Sequence, residues 1–209
     1  MKKNILQKII IISFFVGMAI LIDYTFNKIF KFKIIVWGVA EKPHFNIIVL
    51  FLAGYFLGFI KVFIVCCFYT IWHLNRSFSE YILIINSLKF SKTQIFSSIC
   101  LDYIIPDIII SISGFCLSKK KNECSNKKMF FIFLLMLILI RLSFFFSIFF
   151  IYIPAMKKYE GYNFTVEMSF YVYSILPFVI DFVLCGLCLG CLKPKLKNIS
   201  ELEYIENIR

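Results

Sequence analysis

Leu101-Asp102-Tyr103-Ile104-Ile105-Pro106-Asp107-Ile108-Ile109-Ile110 decides how this chain is read. Two carboxylates, a phenol and a proline stand inside an apolar run that extends from Gln94 to Ser118. Pro106 has no N–H, so within an α-helix the carbonyl of Asp102 is expected to lose its partner. Tyr103 and Asp107, four residues apart, share a helix face. Other apolar stretches hold Asp23, Arg141 and Asp181 in the same manner. An ionisable side chain inside a bilayer is costly unless it is paired or faces a cavity, so each marks a candidate site.

Composition agrees with a membrane solvent. Hydrophobic residues form 61% of the 209 positions and mean hydropathy is +0.87, whereas soluble domains are roughly half apolar. The length suits one integral membrane domain, residues 1–209, without a second. Phe occurs 27 times, so no single Phe is informative. The net charge of +11 suggests nucleic acid at first sight. The lysines cluster at the ends of apolar segments instead, where cytoplasmic retention accounts for them, and no nucleic-acid partner is expected.

The fold expected is all-α, a polytopic six-transmembrane-helix bundle, with spans near residues 5–26, 45–60, 62–75, 94–118, 129–155 and 166–192. Spans two and three are short for a bilayer crossing, which takes about 20 residues. They read either as one long helix or, with Gly58 placed before Lys61, as two helices joined by a tight turn; the turn is the reading adopted. Lys2, Lys3 and Lys8, the Lys119–Lys121 and Lys127–Lys128 groups, and Lys193, Lys195 and Lys197 put both termini on the cytoplasmic side of a cell membrane. Lys28, Lys31 and Lys33 fall on the opposite side in this scheme. No small-residue cleavage site follows the first span, which is expected to stay in place.

Enzyme signatures are sparse. Seven of the eight cysteines lie within or beside spans, where an unpaired thiol packs as a small hydrophobe. Cys185, Cys188 and Cys191 begin an iron–sulfur pattern, but position 195 is lysine where a fourth ligand is required. With Gly186 and Gly190, they are expected to permit close helix approach. His44 and His73 have no zinc-site spacing, and no Walker loop, G-x-S-x-G or H-E-x-x-H occurs. No cofactor, metal or catalytic activity is expected. A Cys–His peptidase or lipid-modifying enzyme would have to use Cys66 or Cys67 with His73. A ligand-free scaffold is the other rival, with Asp102 or Asp107 forming a buried ion pair with Arg141.

What remains is a binding site built on interrupted helices, as in membrane transporters. Pro177 is expected to free the carbonyl of Tyr173 much as Pro106 does for Asp102. Ala53-Gly54-Tyr55-Phe56-Leu57-Gly58 with Lys61, Leu101-Asp102-Tyr103, Tyr152-Ile153-Pro154 and Leu176-Pro177 together resemble the substrate-binding S component of energy-coupling-factor vitamin transporters, most nearly the thiamine-specific type. The proline that follows the tyrosine directly in that family stands here at Pro106, and the arginine–histidine pattern of its fifth helix is reduced to Arg141 and Ser147.

The resemblance implies a subunit that captures a vitamin-like small molecule in the lipid bilayer. A T-type transmembrane subunit and two ATP-binding-cassette ATPases would then drive its release inward. A cationic heterocycle such as a thiazolium calls for a carboxylate and aromatic faces. Asp102 is then the counter-charge, with Tyr103, Trp72 and Tyr69 as walls, Asn86 and Tyr171 as hydrogen-bonding groups, and Arg141 at the border of the pocket. Trp37 and Gly38 are placed in a lid. Ser13 and Gly17, a small-x3-small pair on the first helix, are expected either to meet the T subunit or to pack within the bundle.

The orientation is testable by cysteine-accessibility labelling. Cys124 lies in the loop with the largest lysine excess and is expected to react only from the cytoplasmic side. Labelling from outside intact cells would overturn the six-span scheme.

Overall fold

Gly58 breaks the second apolar stretch. Its backbone, at φ 77° and ψ 173°, is one that residues with a Cβ avoid. It separates α2 (Asn46–Leu57) from α3 (Phe59–Leu88). The expected division into two helices is present, with corrected bounds. α3 begins before Lys61, which lies inside it, and continues far past residue 75. After Leu74 the sequence turns polar, but no Pro or Gly occurs before Lys89 to interrupt the hydrogen-bond ladder. Lys89, at φ 48°, ends the helix in the left-handed conformation.

The structure is a computed structural model that describes residues 2–29, 34–36, 39–41, 44–117, 126–156 and 175–200. α1 (Lys2–Tyr24) continues into a π-helical turn, Thr25–Ile29. Two short strands follow, β1 (Ile34–Val36) and β2 (Val39–Glu41), paired antiparallel with Val36 opposite Val39. The described residues are otherwise helical, as expected, and the β-branched Ile34-Ile35-Val36 run suits this short strand. Trp37 and Gly38, assigned to a lid, lie outside the described residues.

α4 (Lys92–Ile99) opens on a capping box. The Gln94 N–H donates to Ser91 Oγ at 3.3 Å, and the Ser91 N–H donates to Gln94 Oε1 at 2.9 Å. A π-helical turn, Cys100–Ile104, joins it to α5 (Ile105–Leu117). α6 (Asn126–Ser147) likewise passes through a π turn, Ile148–Tyr152, into α7 (Ile153–Met156). α8 spans Leu176–Ser200, beyond the expected end at residue 192. Residues 166–174, where the sixth span was expected to begin, lie outside the described residues, as does Tyr173, whose carbonyl was expected to be freed.

The second and third π turns each stop two residues before a proline, Pro106 and Pro154. In the π register each N–H reaches back five residues, as the Ile105 N–H does to Cys100 O. The N–H missing from Pro106 would therefore have served Leu101 rather than Asp102. Ser143 of α6 supplies the absent donor, its hydroxyl lying 2.6 Å from Leu101 O. Leu101 O is thus satisfied from a neighbouring helix.

α5 lies at the centre and packs against α2, α3 and α6, while α1 covers α2 and α3 and α8 lies on α6. α3 and α5 run antiparallel: Val62 meets Gly114, Thr70 meets Asp107, and Tyr81 of α3 meets Ser98 of α4. Close approach is concentrated where α2 and α3 cross α5. A Cβ on Gly54 would collide with Ser113 and the Gly114 backbone, and one on Gly114 would lie 2.7 Å from backbone atoms of Gly58 and Phe59. No close crossing occurs at Gly186 and Gly190 among the described residues: a Cβ on Gly186 would touch Phe130 at 3.6 Å, and one on Gly190 meets nothing within 4 Å.

The main core gathers Leu50, Phe51, Tyr69, Ile110, Phe133 and Leu137, with Phe51 and Phe133 edge to face at 5.2 Å. A smaller core of Phe90, Ile151 and Ala155 lies where the α3–α4 turn meets α7. Three helical stretches, Ile5–Tyr24, Lys92–Leu117 and Lys127–Ala155, are long and apolar enough to cross a membrane. Asn46–Leu57 and Leu176–Cys191 are apolar but shorter, and α3 is longer but more polar. Many large apolar side chains, Ile60, Phe96, Phe131 and Leu187 among them, face outward, as lipid-facing residues do.

Candidate functional site

α3 carries Tyr69, Thr70, His73, Arg76, Ser77 and Tyr81 at three- and four-residue spacing, so one face of the helix is polar and aromatic. Against this face lie Asp23 at the end of α1, Asn46 at the start of α2, and the turn that joins α4 to α5.

The aromatic part of the site is a chain of rings. Tyr103 meets His73 edge-on at 5.0 Å, His73 lies 5.6 Å from Tyr69, and Tyr69 lies 5.8 Å from Trp72. Tyr81 closes on the other side of Tyr103 at 6.1 Å. Tyr69 is fully buried, and its hydroxyl accepts from Asn46 Nδ2 at 2.8 Å. Trp72, His73 and Tyr103 stay partly exposed, and the Arg76 guanidinium lies over the Trp72 ring at 5.3 Å. Three of the expected walls, Tyr69, Trp72 and Tyr103, are thus brought together, with His73 as the link between them.

Four carboxyls lie inside the bundle, and each is met differently. Asp23, 6% exposed, pairs with Arg76. Asp181, 1% exposed, pairs with Arg141, itself 7% exposed. Asp181 also accepts the His44 N–H at 2.9 Å, and His44 Nδ1 lies 3.1 Å from its second oxygen. Asp107, 5% exposed, meets the Thr70 hydroxyl. Asp102 is partly exposed and accepts from the Tyr152 hydroxyl at 3.1 Å, with buried Ser147 close by. Among the described residues neither Asp102 nor Asp107 has a cationic partner.

Arg141 therefore differs from its expected place. It neither pairs with Asp102 or Asp107 nor borders the aromatic chain; it belongs to the Asp181–His44 cluster that ties α6 to α8 and to the start of α2. The reason is helix register, since Asp107 faces Thr70 on α3 while Arg141 is presented to α8. Asn86 is exposed near the end of α3, five residues past Tyr81 and hence about 7.5 Å from it along the axis. Tyr171 lies outside the described residues. Ser13 and Gly17 are exposed, and among the described residues nothing lies within 4 Å of a Cβ built on Gly17.

Sequence reasoning missed the roles of His73, Arg76, Tyr81 and Tyr152. For the first three the spacing from Tyr69 onward was the available signal. Cys66 and His73 stand two turns apart on α3, about 10 Å along the axis, and His73 faces Tyr69 and Tyr103. Among the described residues no group of three or more His, Cys, Asp or Glu side chains converges as a metal site. No protein-family model, curated protein or solved structure matches this chain.

The closed and open carboxyls are expected to respond differently to neutralisation. Asp181→Asn strands the buried Arg141 charge and is expected to cost about 3–5 kcal/mol of stability. Asp102→Asn, with no cation to strand, is expected to leave melting nearly unchanged. Thermal melting of both variants in one detergent checks this, and equal losses would contradict the assignment.

Proposed function

We propose that this chain is the substrate-binding S component of an energy-coupling-factor importer, crossing the membrane six times with both termini cytoplasmic. It captures a small cationic, vitamin-like molecule, thiamine-like in chemistry. The observation that carries this reading is Asp102, a partly exposed carboxylate without a cationic partner among the described residues, placed beside a chain of aromatic rings. A cationic ring system is stabilised by such a carboxylate and by aromatic faces within about 6 Å. Arg76 is neutralised by Asp23, so the site keeps the negative character that favours a cation.

The remaining features support the same role. The site is assembled from several helices, one of them interrupted by a π turn, in the manner of membrane transport sites. The open Ser13–Gly17 face on α1 offers a neighbouring helix a close approach, which suits a T-type transmembrane subunit. That subunit and two ATP-binding-cassette ATPases supply the energy.

Binding of thiamine, followed by quenching of Trp72 fluorescence in a Trp37→Phe background, tests the site. A hydrogen bond to a charged group contributes roughly 1.5–3 kcal/mol, and each 1.4 kcal/mol is about tenfold in affinity. Asp102→Asn is therefore expected to weaken binding on the order of ten- to a hundredfold in a protein that melts normally. Undiminished binding by that variant would sink the assignment. Binding of a different cationic vitamin in place of thiamine would retain the site and change the ligand.

A further inference from the structure

Among the described residues Asp107 and Asp102 both lack a cationic partner, yet their surroundings differ. Asp102 is partly open, whereas Asp107 is sealed at 5% exposure where α3 and α5 meet. The one side-chain partner of Asp107 among the described residues is Thr70. Thr70 Oγ1 also lies 2.9 Å from the carbonyl oxygen of Cys66, one turn earlier on α3. A hydroxyl has a single hydrogen to donate. It satisfies one of these two acceptors, and the other contact then needs a hydrogen from elsewhere.

Among the described residues the titratable groups that act on Asp107 are Asp23 on α1 and Cys66 and Tyr69 on α3. None is a cation. Asp23 is a second carboxylate and already holds Arg76. A bare charge at Asp107 would be buried, uncompensated and repelled by Asp23, an arrangement apolar interiors do not sustain.

We propose that Asp107 and Thr70 form a proton-binding site inside the bundle. The Asp107 carboxyl carries the proton and donates it to Thr70 Oγ1, and Thr70 directs its own hydrogen to the Cys66 carbonyl. Both hydroxyl hydrogens are then donated, and α3 and α5 meet without a net charge between them. Loss of the proton would set a second negative charge against Asp23, the partner of Arg76, whose guanidinium lies over Trp72. Proton occupancy thereby reaches the aromatic chain through Asp23. The proposal stands whatever ligand Asp102 takes.

Infrared spectroscopy of the protein in lipid at neutral pH tests it. The wild type is expected to show the carbonyl stretch of a neutral carboxylic acid, shifted in deuterated buffer and lost in Asp107→Asn, while Asp181→Asn retains it. Should Asp107→Asn fail to fold, Asp107→Glu serves instead, and the band is then expected to move. A wild type without this band, or one whose band is unaltered by the Asp107 substitution, would overturn the proposal.

Discussion

A charged side chain among apolar helices must be met by an opposite charge, by hydrogen-bond donors or by a proton before those helices can close on one another. The arrangement of this bundle follows from how its in-span charges meet that demand. Arg141, Asp181 and His44 bind α6, α8 and the start of α2 together. Arg76 and Asp23 bind α3 to α1. A helix rises 1.5 Å per residue, so sliding any of these helices by a residue or two would part a buried pair. The pairs therefore fix helix register, and register places the rings of α3 opposite Tyr103.

The junction between α4 and α5 depends on the same accounting. Its π turn and Pro106 leave Leu101 without a backbone donor, and Ser143 of α6 replaces it. With that junction held, adjacent residues serve different neighbours: Asp102 faces Tyr152, and Tyr103 faces His73. The small core around Phe90 packs on the Tyr152 ring at 5.4 Å, so the turn between α3 and α4 closes over the phenol that holds Asp102. Gly54, Gly58 and Gly114 allow α2 and α3 to lie close against α5 beneath this region.

Much of the helical layout was legible in the sequence because apolar runs and Gly58 mark helices without reference to their neighbours. The end of α3 was less so, since the apolar pattern fades at Leu74 while nothing in the chain stops the helix before Lys89. The importance of Asp102 and Tyr103 could be read from an ionisable cluster in an apolar run. The partner of Arg141 could not, because a lone charge declares its need for a counter-charge without saying which helix supplies it. The π turns escaped for a related reason: Pro106 announces a lost hydrogen bond, but only the three-dimensional register shows that Leu101 loses it. The paired strands after α1 were hidden among short Ile and Val runs bordered by lysines.

The central claim is that the open carboxylate beside the ring chain holds a small cation. Native mass spectrometry of the protein, released gently from its own membranes, tests this most directly. The account predicts one small cationic molecule bound per chain in the wild type and a bare chain for Asp102→Asn of equal stability. A wild type that emerges without any bound molecule, even after incubation with cationic vitamins, would contradict it.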